Sequence, residues 1–208
     1  MAVKTTPTKT NLLKLRRDLG FAREGYELLE QKRQILVVEL MGIMDKTAEA
    51  QKKTESALAE AYEALRECLL VMGHTAVSRT ADAVRLDTDI QIHMRRVMGV
   101  NLPQVQLTVH DRSPYYSIID TSFWVDESIR RFKNLLEDLA SWAEYKVSLM
   151  RLAEEVRKTM RRVNALEKIA MPDYRTAIRS IEASLEENER EMFATLKLIK
   201  ERLQKKKG

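Results

Sequence analysis

The chain has 208 residues, of which 44% are apolar, 32% charged and only 6% aromatic, with six glycines and four prolines. So few turn formers exclude a β-sandwich or a doubly wound sheet and point to long helices. The net charge is +5, and it is uneven: residues 1–23 hold six Lys or Arg against Asp18, and residues 195–208 hold six against Glu201. A single cysteine, Cys68, excludes an internal disulfide and suits a reducing compartment. The opening MAVKTTPTKT has no apolar h-region, so no secretory leader is expected there. The longest apolar run, residues 35–44, is interrupted by Glu39 and is too short to span a bilayer.

Thr8 or Thr10, after Pro7, is a candidate N-cap. From there apolar residues recur at three- and four-residue steps: Leu12, Leu15, Leu19, Ala22, Tyr26, Leu29, then Leu36, Leu40 and Ile43, with Arg33 the one charged member. Smaller residues continue the series through Thr47, Ala50, Thr54, Ala57, Ala61, Ala64, Cys68 and Val71. A mean step near 3.5 is the heptad signature of a left-handed coiled coil. This predicts a helix over 9–72, which Gly73 ends.

Over 73–121 the helical pattern fails. Ile90, Ile92 and Met94 alternate with polar residues, as do Val105, Leu107 and Val109. Two strands and a β-hairpin over 88–110 follow, with MGVNLP as a longer loop between them. Such a hairpin is marginal alone. One apolar face should therefore pack on the helices or on a partner.

A second helix is predicted over 122–205. Its stripe runs from Leu149 through Leu152, Val156, Met160, Val163, Leu166, Ala170, Tyr174, Ala177, Ile181 and Leu185 to Met192, Leu196, Ile199 and Leu203, with Asn188 the one polar member. The mean step is 3.6, one face of a continuous helix. Pro172 should bend this helix without breaking it, because the stripe keeps its phase. A single stripe this long needs an equally long partner. The fold class predicted is therefore mainly α: one elongated domain over 1–208, an antiparallel coiled coil of the two terminal helices. A small insert containing the hairpin joins them. If the termini meet, partners i and j obey i + j ≈ 215. Helix 1 is about 90 Å long, and Arg33 lies opposite Glu182. Lys9, Lys14, Arg16, Arg17, Lys197, Lys200 and Arg202 then gather at one basic tip.

No residues here suggest chemistry. Gly20 to Gly25 has the spacing that opens a phosphate loop, but Tyr26 and Glu27 stand where Lys and Ser/Thr are needed. His74, His93 and His110 are scattered, so no metal site is expected. Cys68 falls on the seam as a structural thiol. Arg161 and Arg162 read as a solvated pair or an interface contact. By composition alone, a coiled-coil scaffold or tether and a basic helical nucleic-acid binder both stay open.

Residues 7–41 and 158–200 resemble the D subunit of the V-type and A-type rotary ATPases. The resemblance rests on PTKTNLL (7–13), RRVNALE (161–167) and Pro172, with a looser match at VMGVNLPQV (97–105). It implies a rotor shaft without an active site or cofactor, cytoplasmic and part of a peripheral membrane-associated complex. The implied partners are the hexamer of catalytic A subunits and B subunits, the F subunit on the side of the shaft, and a socket protein on the membrane rotor ring. Partner-binding candidates are the basic residues above with Arg161 and Arg162, and the hairpin residues Ile90, Ile92, Val105 and Leu107. The seam that would keep the two helices together is Leu12, Leu15, Leu19, Leu29, Leu36 and Leu40 against Val163, Leu166, Ile181, Leu185, Leu196 and Ile199.

Overall fold

A computed structural model of the protein describes residues 6–84, 87–110, 115–117 and 121–205. Along the chain, long helices flank a two-stranded antiparallel hairpin, the architecture that the periodicities predict. Helix α1 spans Lys9–Met72. Thr8 caps it: its hydroxyl accepts from the Asn11 amide at 3.3 Å and its carbonyl from Leu12 at 3.0 Å. Gly73, at φ 75°, ends it. A short helix α2, His74–Ala83, follows within the stretch read above as non-helical. Ten residues are too few to set a periodic signal. Strands β1 (Asp87–Val97) and β2 (Val100–His110) come next. Helix α3 (Phe123–Ala165) passes through a π-helical turn, Leu166–Ala170, into α4 (Met171–Lys205).

That π-turn stands just before Pro172. Proline has no amide to donate, and its ring crowds the carbonyl four residues back. Widening the preceding turn relieves the clash while Met171 keeps helical dihedrals, φ −64° and ψ −43°.

The chain divides into two compact units, residues 1–34 with 157–208, and residues 35–156. In the first, Leu15 packs with Ile178 and Ile181, flanked by Leu12, Leu19, Tyr174, Ala177 and Leu185. Two ion pairs set the register: Lys9 Nζ to Glu189 at 3.2 Å, and Arg16 Nη2 to Glu182 at 2.6 Å. The numbers of the partners add to 198 in both pairs, not the 215 expected from abutting termini. The offset is about five helical turns. Arg33 therefore does not meet Glu182. It turns to Glu30 on its own helix, with Nε donating to Oε2 at 2.8 Å. That hydrogen bond holds the Glu30 carboxyl below its ordinary range and raises the Arg33 guanidinium. Supplying the counter-ion locally satisfies the guanidinium at any register.

In the second unit, Leu36 of α1, Leu102 of β2 and Leu152 and Val156 of α3 form the core, with Val97 and Val100 packed against it. Lys53 Nζ bonds Asp138 at 2.6 Å, and Arg131 joins Glu60 to Glu127. The hairpin turn is tighter than the longer loop predicted. Val97 pairs with Val100, leaving Met98 and Gly99 at φ 48° and 85°. Two successive positive φ values make a turn whose twist matches the strands, and glycine takes the second without steric cost.

Cys68 is buried beside an apolar cleft of about 310 Å³, which is also lined by Leu65, Val77, Val125 and Phe132. Burial raises its thiol pKa. The folded state favours the neutral thiol, so that preference is fully present below the ordinary thiol value and is lost as pH rises through the higher folded value. Alkylation of native protein should begin at a higher pH than for denatured chain. A native rate equal to the denatured one would contradict this burial.

Candidate partner-binding surfaces

The register decides what each end of the chain presents. Two of the α1 cations, Lys9 and Arg16, meet an acidic stretch of α4 running from Glu182 to Glu191. Lys9 and Arg16 are engaged there, and Arg190 folds back toward Glu186 and Glu187 at 3.8 and 3.6 Å. Lys14 and Arg17 are exposed beside them. Lys197, Lys200 and Arg202 lie farther along α4. Lys197 is eight residues beyond the partner of Lys9, about 12 Å at helical rise. The candidate basic residues are thus not gathered at one level. Lys9 and Arg16 of α1 sit against carboxylates, and the α4 set runs past them.

The same register leaves the end of α4 without a helix opposite it among the described residues. Every position from Glu186 to Gln204 is exposed. Leu196 and Ile199, read above as seam, are 55% and 48% exposed. Met192, Phe193, Leu198 and Leu203 are bare beside them. The other seam candidates differ. Leu15, Leu36, Val163 and Ile181 are buried, while Leu12, Leu19, Leu29, Leu40, Leu166 and Leu185 are half-buried. Sequence reasoning assigned Leu196 and Ile199 to the seam because they keep its phase. Phe193 and Leu198 lie off that phase, and apolar residues on more than one face were the available signal of an uncovered end.

Arg161 and Arg162 are exposed on α3, next to buried Val163. On the hairpin, Ile90 and Ile92 are 57% and 58% exposed, whereas Val105 and Leu107 are half-buried. Ile90 stands opposite Leu107 and Ile92 opposite Val105, so these four share one face. The residues that pack into the core are instead Val97, Val100 and Leu102, near the turn and on the other face. Among the described residues no His, Cys, Asp and Glu cluster could hold a metal ion, and no helix is long and apolar enough to cross a membrane.

Comparison with known proteins points one way. The sequence profile of the ATP synthase D subunit matches residues 11–201. The chain is similar to the A-type ATP synthase D subunit of Pyrococcus furiosus, 37% identical over 95% of this chain and 94% of that one. It is 36% identical to that of Methanobrevibacter smithii, over 96% and 88%. It is 34% identical to the V-type ATP synthase D subunit of Thermotoga neapolitana, over 97% and 99%.

Proposed function

We propose that this chain, which belongs to the ATP synthase D-subunit family, is a non-catalytic central-stalk rotor that transmits torque during ATP-driven ion transport or ATP synthesis. The observation that carries the reading is the uncovered end of α4. A two-helix stem, held by Leu15 against Ile178 and Ile181, continues as one helix with apolar and basic side chains and no cover among the described residues. A protein left alone has no use for such a segment, because bare apolar area costs free energy in water. A ring of other proteins would cover it.

On this reading the end of α4 enters the hexamer of A and B subunits, and Lys197, Lys200 and Arg202 face polar or acidic walls. The F subunit takes the side of the shaft. There Ile35, Val38, Met41 and Met44 are exposed along α1. The socket protein joins the shaft to the membrane rotor ring, so the chain works in a peripheral membrane-associated complex.

The test attaches a bead to the hairpin and assembles the chain with the A and B subunits. ATP-driven turning of the bead is the result expected. A chain that does not assemble with the hexamer, and instead binds DNA with a steep loss of affinity in salt, would return the basic segment to nucleic-acid binding.

A further inference from the structure

The hairpin treats its two edges differently. The outer edge of β2 is covered by α3. The Val105 amide donates to Glu144 Oε2 at 2.7 Å, and the Asn101 carbonyl accepts from Arg151 Nη1 at 2.8 Å. Between them stands Pro103, which has no amide to present. These contacts fix the phase of the ladder. Residues 101, 103 and 105 turn their backbone groups outward, so their partners Arg96, Met94 and Ile92 do likewise. With period two, Thr88, Ile90, Ile92, Met94 and Arg96 present outward backbone groups on β1.

From Thr88 to Arg96 the β1 edge has no such cover among the described residues. Among the described residues the sheet contains two strands, and β1 runs for eleven residues without proline. No bulge interrupts its pairing with β2. Proteins usually blunt a long edge with proline, a bulge or a central lysine, because bare amides and carbonyls recruit further strands. The middle of β1, IQIHM, has none of these.

Its charges are arranged for one kind of neighbour. Asp89 lies toward one end, Arg95 and Arg96 toward the other. Set antiparallel to itself about Ile92, β1 puts Asp89 opposite Arg95 of the second copy, twice. Gln91 falls opposite His93, and Ile90 opposite Met94. The same register aligns the outward backbone groups of residues 88, 90, 92, 94 and 96 with one another, so both hydrogen-bond parity and charge are satisfied together.

We infer that the free chain self-associates through β1, two hairpins joining edge to edge across a two-fold axis into a four-stranded antiparallel sheet. Such a contact is isologous and closes at two copies. It makes the edge available to the chain outside any larger assembly and goes beyond the rotor reading, which uses a single copy.

Sedimentation equilibrium of the full chain from about 1 to 100 µM reads the association directly. The mass should rise from 24.1 kDa toward twice that value. Arg95→Asp places like charges opposite each other twice and should weaken the dimer about tenfold or more. Adding Asp89→Arg to it restores opposite charges and should restore the dimer. Ile92→Pro removes two intermolecular amide donors and should weaken association roughly 10- to 100-fold. The Ile92 amide points away from β2, so the hairpin itself loses no bond, and circular dichroism checks its integrity. A chain that stays monomeric throughout overturns the proposal. A dimer indifferent to both Arg95→Asp and Ile92→Pro also overturns it, because the contact then lies elsewhere.

Discussion

A chain ended at Glu189 should unfold within about 0.5 kcal/mol of the full-length protein, yet bind the hexamer about 100-fold more weakly. The first half of this result follows from exposure. No residue from Arg190 to Gln204 is buried, while the Leu15, Ile178 and Ile181 cluster and both register-setting ion pairs remain. The second half follows from the rotor reading. Met192, Phe193, Leu196, Leu198, Ile199 and Leu203 are available for burial, and a fully buried side chain of this size contributes about 1.5–3 kcal/mol. Covering only part of that area against the ordering of the helix end leaves enough for the loss stated. In an assembled complex, ions moved per ATP hydrolysed should fall with it. Affinity and coupling equal to those of the full chain would show that this segment is dispensable and would remove the main support for the rotor reading. Reversing only Lys197, Lys200 and Arg202 to glutamate separates the charge contribution from the apolar one.

Leu152→Ala should destabilise the chain by about 2–5 kcal/mol, and Leu36→Ala by a similar amount. Both side chains are 0% exposed and meet Leu102 of the hairpin, so truncation leaves a cavity that α1, α3 and β2 must all shift to fill. Urea denaturation measures the loss. At about 2–4 °C per kcal/mol for a chain of this size, the thermal midpoint should fall with it. Val38→Ala, at a site 70% exposed on the same helix, should change stability by no more than about 0.5 kcal/mol. Equal effects at the buried and exposed sites would contradict the packing of β2 on the two helices. The hairpin should also lose protection from hydrogen exchange in Leu152→Ala, because Leu102 of β2 is buried in the same cluster.

The sequence by itself determined the long helices and both strands, but not α2. Steps of 3.5 and 3.6 residues mark α1, α3 and α4 as helices and select their apolar faces, and alternation marks both strands, because backbone geometry ties side-chain direction to those periods. It also argued against a phosphate loop at Gly20 to Gly25, since Tyr26 and Glu27 stand where lysine and a hydroxyl are needed. The motifs PTKTNLL and RRVNALE were enough to place the chain in its family. Only the tertiary structure decided the register of α1 against α4. A stripe of leucines, alanines and isoleucines meets another such stripe nearly as well after a slide of one heptad. Periodicity is therefore blind to the offset, and abutting the termini was the wrong way to choose it. The buried cluster of Leu15 with Ile178 and Ile181 goes with one offset, and the exposed pairs of Lys9 with Glu189 and Arg16 with Glu182 mark it. That offset uncovered Leu196 and Ile199 and left Arg33 to Glu30. The hairpin shows the same division. Alternation located its strands, but positive φ at Met98 and Gly99 and the seating of Leu102 between Leu36 and Leu152 fixed its turn and the face it buries. Those outcomes depend on contacts between residues far apart in the chain, which no local pattern encodes.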